Sequence, residues 1–219
     1  ADDGIDVRGG ALTVSGSQIY SNTDNGIELT ETSSNTTIKS SKIGTNAANA
    51  LGKGNADGIY YDANAEFDLD GAGGVGLVIG GALEADRNYI VGNGYGVYLG
   101  DGMFDNGSIT GTATISNNYF SIASDGTTTI ANSSQAIMVE DGPGVSVATI
   151  DIIDNLFGSS FLGSIKILDA GVATITGNSF GLDAVGGDII SSGDAINVDG
   201  AVVNIGTEDV ADGNTIKNH

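Results

Sequence analysis

One short hydrophobic pattern recurs along the whole chain: a small residue, an apolar residue, a variable residue and a second apolar residue. Its copies are GIDV (4–7), GIEL (26–29), GIYY (58–61), GVYL (96–99), AIMV (136–139), SIKI (164–167) and AINV (195–198). Apolar residues at alternate positions predict a strand with one buried face. The copies begin 22 to 40 residues apart, and no helical pattern separates them. A strand that recurs in this way is typical of a solenoid, whose stacked coils offer long surfaces more readily than deep pockets.

A second recurring strand lies between copies of the first and has asparagine, any residue and then isoleucine or phenylalanine. These asparagines are Asn88, Asn118, Asn155, Asn178 and Asn214, and serine takes the same place at Ser17 and Ser41. Short β-branched stretches, such as LTV (12–14) and ATI (113–115), precede them. Each coil therefore contributes about three short strands with apolar residues alternating inward, which predicts an all-β parallel β-helix of about seven coils.

The recurring asparagines have a structural explanation. Asparagine tolerates left-handed backbone geometry at a corner, and stacked amides can hydrogen-bond along the coil axis. We therefore expect an asparagine ladder rather than a row of catalytic residues. Residues 1–219 are predicted to form a single domain that is open at both ends, since neither end has an amphipathic segment that could form a capping helix.

Two pairs of segments repeat with identical spacing and carry a resemblance. Residues 79–90 (IGG…RNYI) match 205–216 (IGT…GNTI), and residues 43–59 (IGTN…GI) match 180–196 (FGLD…AI). On these residues the chain resembles the right-handed parallel β-helix repeats of secreted and surface bacterial proteins, a pectate-lyase-like fold, over essentially its whole length. The resemblance implies a right-handed coil and an extracellular or cell-surface location. It leaves function open, because this fold hosts lyases, hydrolases, tailspikes, adhesins and structural repeats.

The charge balance narrows the classes of partner. The chain has 28 acidic and 7 basic residues, a formal net charge of −21. Such a surface repels phosphate backbones and anionic membranes, which argues against nucleic-acid binding, and it attracts cations. No apolar run is long enough to predict a membrane-spanning segment, and the absence of cysteine excludes disulfide and thiolate chemistry.

The sequence offers little catalytic equipment, and we predict no catalytic residue. Polysaccharide lyases of the resembling family need a basic residue beside calcium-binding carboxylates, whereas this chain has two arginines, five lysines and one histidine. Lys166, at an outward position of its strand, is the best lyase base on offer, although an ordinary surface lysine explains it better. The segment Asn22-Thr23-Asp24 matches only a fragment of the hydrolase pattern.

Calcium is a candidate ligand because Asp-Gly pairs are frequent. The densest set is Asp68-Leu69-Asp70-Gly71, so Asp68 and Asp70 are the candidate metal ligands. Hard carboxylate oxygens at turns suit Ca²⁺. Ordinary turn chemistry explains most of the Asp-Gly pairs equally well, and both interpretations stay open.

The outward column of the first strand contains a candidate carbohydrate-binding surface. From the first copy to the last, it runs through Asp6, Glu28, Tyr60, Tyr98, Met138, Lys166 and Asn197. Neighbouring coils lie about 4.8 Å apart, so Tyr60 and Tyr98 are expected to be in contact. A tyrosine strip with Lys166 nearby could bind a polysaccharide by stacking and hydrogen bonding. Packing under the long 61–76 insertion is the alternative.

The two ends of the chain fit one another in length. Seven residues separate Ile19 from Gly26, and a join from Ile216 to Gly4 of a following copy would also be seven residues long. We therefore expect Gly4, Ile5 and Val7 at one end and Ile216 and Asn218 at the other to pair with copies of the chain or with adjoining coils of a longer chain.

Two functional hypotheses follow from these patterns. The first is a structural or adhesive extracellular module that stacks head to tail into a rod or filament, or that belongs to a longer surface protein. The second is a polysaccharide-binding or lyase-like domain that uses Tyr60, Tyr98 and Lys166.

Overall fold

The repeated strands pair only with their counterparts in the preceding and following coils. The structure is a computed structural model, and it describes residues 2–33, 35–62, 67–68, 76–100, 109–140, 148–169, 171–209 and 212–219. Within these residues, three sheets of seven parallel strands each run along the chain. Each coil supplies one strand to each sheet, so the prediction of a right-handed parallel β-helix of about seven coils is confirmed.

The strands of each sheet follow one another in chain order. Sheet A contains β1 (Ile5–Gly10), β4 (Ile27–Ser33), β7 (Asp57–Asp62), β11 (Tyr95–Gly100), β15 (Gln135–Glu140), β18 (Gly163–Leu168) and β21 (Asp194–Asp199). Sheet B contains β2 (Thr13–Ser15), β5 (Thr37–Lys39), β9 (Leu77–Gly80), β13 (Thr112–Ser116), β16 (Thr149–Ile153), β19 (Val172–Thr176) and β22 (Val202–Ile205). Sheet C contains β3 (Gln18–Ile19), β6 (Lys42–Ile43), β10 (Tyr89–Ile90), β14 (Tyr119–Phe120), β17 (Leu156–Phe157), β20 (Ser179–Phe180) and β23 (Thr215–Ile216).

The coils are numbered 1 to 7 from the N-terminal end, so β1, β2 and β3 form coil 1 and β21, β22 and β23 form coil 7. A separate pair of strands, β8 (Phe67–Asp68) and β12 (Ile109–Thr110), projects between sheets A and B. A 3₁₀ turn spans Glu84–Asp86. None of the described helical segments has the length and hydrophobicity to cross a membrane.

The core consists of aligned columns of apolar side chains. In sheet B, five isoleucines from successive coils are fully buried: Ile38, Ile79, Ile115, Ile152 and Ile175. In sheet C the column changes from isoleucine to phenylalanine, and the rings of Phe120, Phe157 and Phe180 stack face to face at 5.0 and 4.8 Å with planes 6° apart. These separations match the strand spacing of about 4.8 Å, since identical positions in register repeat at that distance.

The predicted asparagine ladder lies at the corner between sheets B and C. Asn88 Nδ2 donates to Asn118 Oδ1 at 2.9 Å, and the same bond continues through Asn155, Asn178 and Asn214. Ser17 and Ser41 extend it toward the N-terminal end through backbone-to-side-chain bonds. The ladder allows a turn of only two residues, because each buried amide satisfies backbone groups that the turn leaves without partners.

A second ladder, which the sequence analysis missed, lies at the corner between sheets C and A. Asn22 Nδ2 donates to Asn55 Oδ1, Asn55 Nδ2 donates to Asn93 Oδ1, and Asn93 N–H donates to Asn132 Oδ1. Each of these asparagines precedes the small residue of the repeated strand by three or four positions. This spacing is the sequence signal for the second ladder. Because it varies between three and four residues, it does not stand out as a repeat.

Long and short turns alternate at the corner between sheets C and A. Residues 44–56, 121–134 and 181–193 form long turns, whereas 20–26, 91–94 and 158–162 form short ones. Two long turns fold as hairpins, with antiparallel bridges between Ile122 and Thr129 and between Leu182 and Asp188. These hairpins touch across the short turn between them, where Ala184 N–H donates to Gly126 O at 2.9 Å. Because a hairpin is two strands wide, it covers two coil heights of about 4.8 Å each.

Candidate functional site

The tyrosine surface lies on the outer face of sheet A. Tyr60 and Tyr98 are register partners, their ring centroids lie 5.3 Å apart, and their planes are tilted by 50°. Tyr95 adds a third ring, whose centroid lies 5.1 Å from that of Tyr98. The rings therefore pack partly on one another, and only part of each face is available to a ligand.

The hydroxyl groups of this surface are firmly protonated. Burial raises the pKa of Tyr60 well above its usual value, and the nearby charges of Asp62 and Glu28 add to the shift. Burial likewise raises the pKa of Tyr98, whose hydroxyl donates to Glu140 Oε2 at 2.8 Å. Both groups act as hydrogen-bond donors at any physiological pH, and each already has a carboxylate acceptor, Asp62 for Tyr60 and Glu140 for Tyr98.

Lys166 does not join the two tyrosines. In the register of sheet A, Met138 lies between Tyr98 and Lys166, so the lysine is two strands away, or about 9.6 Å at the usual spacing. The Met138 side chain is only 5% exposed, although it points outward. The structure thus brings together Tyr60 and Tyr98 but separates them from the predicted basic residue.

Carboxylates crowd the N-terminal end of the same face. Glu28 is the register partner of Tyr60, and its pKa is raised from 4.5 to about 7 by burial, by a hydrogen bond with Asp3 and by the charges of Asp3, Asp6 and Asp24. This face therefore repels anionic sugars such as uronates. It would accept an uncharged ligand more readily.

The calcium prediction remains a prediction. Asp70 lies outside the described residues, and so does the side chain of Asp68. Within the described part of the chain, no three acidic or histidine side chains are grouped closely enough to hold a metal ion.

The residues predicted for end-to-end pairing lie on edge strands. Gly4, Ile5 and Val7 belong to coil 1, where Ile5 and Val7 pack partly buried against the core. Ile216 is the inward residue of β23 yet is 51% exposed, and Ile205 of β22 is 53% exposed. Asn218 follows β23 and donates from Nδ2 to Gly181 O at 3.3 Å. Val14 and Ile19 of coil 1 are buried, so the C-terminal end of the core is the more open one.

Two adjoining cavities, which the sequence analysis also missed, lie outside the corner between sheets B and C. Their volumes are about 650 and about 340 Å³, and both are lined by Arg87, Asn117 and Asp154. These volumes fall in the range of small-molecule sites, about 300–1,000 Å³. The floor is formed by strands of coils 3 to 6, and the turns of coils 4 to 6 at this corner are short.

The fold and these surfaces define the chain as a right-handed parallel β-helix with a tyrosine-bearing face, half-exposed inward isoleucines in coil 7 and a trough at one corner. Comparison with protein-family models, with curated proteins and with solved structures finds no significant match.

Proposed function

We propose that this chain is a structural or adhesive module of a secreted or cell-surface protein, in which the β-helix continues coil on coil beyond coil 7. The observation that carries the proposal is the exposure of Ile205 and Ile216, which are 53% and 51% exposed. Their counterparts one coil earlier, Ile175 and Phe180, are fully buried. A further parallel coil, from a second copy or from a longer chain, would bury both side chains and pair the edge of sheets A, B and C.

The chemistry of the two ends supports this pairing. Unpaired parallel edge strands are a template for another strand, and stable proteins usually cover them. The net charge of −21 would keep the sides of neighbouring rods apart, which favours contact through the ends.

A tandem protein tests the proposal directly. In a chain where residue 219 is followed by residue 1 of a second copy, the linkage makes the local concentration of the partner coil high. We expect the amides of β22 and β23 in the first copy to exchange with deuterium more slowly than in the single chain. Electron microscopy of the single chain at rising concentration should show end-to-end rods.

Substitutions at the open end provide matched controls. Ile205→Lys in the first copy should abolish the added protection, because it places a charge in the new interface. Ile190→Lys changes an isoleucine that is 82% exposed on a hairpin, and it should leave the protection intact. Equal exchange rates in the tandem and single chains would refute coil-on-coil continuation.

Polysaccharide binding or lyase-like cleavage is the second candidate, and the contact between Tyr60 and Tyr98 favours it. Two adjacent rings with hydroxyl donors and nearby carboxylates can bind sugar hydroxyls. Retardation in gels that contain neutral polysaccharide should be lost in Tyr60→Ala and Tyr98→Ala if this surface binds. The contact supports binding only, because Met138 separates Lys166 from the tyrosines and the carboxylates around Glu28 repel the uronate polymers that a lyase would cleave.

A further inference from the structure

The trough at the corner between sheets B and C has one wall that comes from an insertion. Coils 4, 5 and 6 turn this corner with two residues, whereas coil 3 inserts residues 81–87. On the side of sheet C, Leu182, Asp183 and Ala184 of the long turn of coil 6 line the trough. The short turns of coils 4 to 6 therefore leave an open trough between the insertion of coil 3 and the long turn of coil 6.

The wall formed by residues 81–87 is firmly held. The Arg87 side chain is 14% exposed and lies over the ring of Tyr119, with its guanidinium carbon 4.1 Å from the ring centroid. It donates to Asn117 Oδ1 at 2.8 Å and to Glu84 Oε1 at 3.1 Å. Asn117 Nδ2 in turn donates to Leu83 O at 2.8 Å. These charge-assisted bonds attach the insertion to coil 4, so the trough is preformed.

The floor of the trough mixes apolar surface with hydrogen-bonding groups. Val78 and Ile153 supply apolar side chains on sheet B, and Leu156 supplies another on sheet C. The polar groups are the hydroxyls of Thr114, Ser116 and Ser179 and the carboxylate of Asp154. Within the described residues, no hydrogen bond or ion pair engages these four side chains. They are therefore available to a ligand.

We propose that this trough binds an uncharged oligosaccharide that lies across coils 4 to 6. The apolar side chains would contact the C–H faces of the sugar rings, while the hydroxyls and the Asp154 carboxylate would bond to sugar hydroxyls. This site is separate from the tyrosine surface of sheet A and does not depend on end-to-end pairing. It would give an adhesive module a ligand on its side.

Charge and backbone pairing exclude the competing ligands. Glu84 neutralises Arg87, so Asp154 and Asp183 leave the trough negative in a molecule of net charge −21, which repels uronates, phosphates and nucleic acid. A peptide that binds by strand addition would need an unpaired strand edge. The floor offers sheet faces instead, because the strands of coils 4 to 6 are paired on both sides.

Two aspartates of equal backbone geometry provide a matched test. Asp154 and Asp169 both have left-handed φ angles, 56° and 49°, and each carboxylate lies against a glycine of the next coil. Asp154 lines the trough, whereas Asp169 lies at the corner between sheets A and B. Asparagine tolerates this conformation, so Asp154→Asn and Asp169→Asn should both keep the fold, as circular dichroism can verify.

The probes are tetramers of glucose, in both α-1,4 and β-1,4 linkage, and of N-acetylglucosamine, with polygalacturonate as the anionic arm. We expect calorimetry to show binding of at least one neutral tetramer and none of polygalacturonate. Asp154→Asn should weaken that binding about tenfold or more, as loss of a charge-assisted hydrogen bond does. Asp169→Asn should bind like the unmodified chain.

A blocking pair separates the trough from every other surface. Ser116→Trp would fill the floor, while Ser15→Trp changes an exposed serine at an outward position of the same sheet in coil 1, outside the trough. The first should abolish binding and the second should not. The proposal is overturned if no neutral tetramer binds at millimolar concentration, if polygalacturonate binds instead, or if Asp154→Asn and Ser116→Trp both leave binding unchanged.

Discussion

Asn118 connects three coils through one buried side chain. Its Nδ2 donates to Ile79 O at 2.9 Å and to Asn155 Oδ1 at 3.1 Å, and its Oδ1 accepts from Asn88 Nδ2 at 2.9 Å. In a two-residue turn no backbone group can replace these bonds. The asparagine is therefore part of the fold's polar core. Its removal lowers the free energy of unfolding, because several buried donors and acceptors lose their partners.

We predict that Asn118→Ala lowers the free energy of unfolding by about 2 to 4 kcal/mol, since it leaves buried donors and acceptors without partners. Chemical denaturation measures the change. Asn197→Ala removes an exposed asparagine that bonds only to Asp194, and it should cost less than about 0.5 kcal/mol. Equal effects of the two substitutions would contradict a ladder role.

Glu28 predicts a pH dependence of stability. Its pKa in the folded chain is about 7, against an ordinary value of 4.5, mainly because of burial and then because of Asp3. The folded state therefore binds a proton that the unfolded state releases, so this group's contribution to stability falls as the pH rises from 4.5 to 7. When the pH rises from 5 to 8, the free energy of unfolding of the Glu28→Gln variant should therefore fall by less than that of the unmodified chain.

Unfolding curves at both pH values provide the measurement. Glu208→Gln, at an exposed position in coil 7, controls for the removal of one charge from an acidic molecule. If Glu28→Gln and the unmodified chain show the same change between pH 5 and pH 8, the raised pKa is wrong.

Residues whose spacing is constant could be predicted, and residues whose spacing varies could not. The Asn-x-Ile/Phe motif predicted the first ladder, because each asparagine directly precedes a strand of fixed length. Asn55 and Asn132 of the second ladder stand three and four residues before the next repeated strand, and this variation hid them. The contact between Tyr60 and Tyr98 followed from register alone, but the burial of Met138 beside them depends on tertiary packing.

At the scale of elements, the close approach of coils restricts the ends of strands. Gly80 ends β9 with a φ of +90°, and a Cβ added there would lie 1.9 Å from the backbone oxygen of Ser116 in the next coil. Only glycine fits such a position, because both the conformation and the space exclude a side chain. Gly16 has a φ of +62° but no neighbour near the added Cβ.

This contrast gives a paired prediction. Gly80→Ala should destabilise the chain by about 2 to 4 kcal/mol, through backbone strain and the clash with coil 4. Gly16→Ala should cost only the strain, about 1 kcal/mol. Thermal unfolding of both variants separates the two contributions, and a smaller loss for Gly80→Ala than for Gly16→Ala would contradict the packing described here.

The elements of the fold likewise include some that the sequence predicts and others that depend on tertiary structure. All three strands of each coil could be located from sequence, because apolar alternation is a local property. The insertion 81–87 was visible in the sequence through its match to 207–213, yet its role as a wall depends on the short turns of coils 4 to 6 and on the long turn of coil 6. The trough could therefore not be predicted from sequence, although the strands and the insertion that form it could be located.

At the scale of the whole molecule, each coil is stabilised mainly by its two neighbours. Coil 7 has one neighbour, and its inward Ile205 and Ile216 are about half exposed. Coils 3 to 5 have buried neighbours on both sides, including the stacked rings of Phe120 and Phe157. Stability in such a quasi-one-dimensional array should decline toward the open end.

Native-state hydrogen exchange should show this gradient. We predict the fastest exchange of strand amides in β21, β22 and β23 and the slowest in the strands of coils 3 to 5. Protection in coil 1 should lie between them, because Val14 and Ile19 are buried. Uniform protection across all seven coils would instead indicate a single cooperative unit.

The alternation of long and short turns gives this β-helix a parity. Loss of a single coil would bring together either two hairpins, for which one strand spacing of about 4.8 Å leaves no room, or two short turns, which would leave Val91 or its equivalent without cover. Removal of two adjacent inner coils keeps every hairpin in phase with its neighbours. A head-to-tail join of two seven-coil copies sets one short turn beside another, but Lys217 stands there at the position of Val91, so the join leaves no apolar side chain without cover. The coil pair is therefore the unit by which the interior of the chain can be shortened, and the join between copies is the exception.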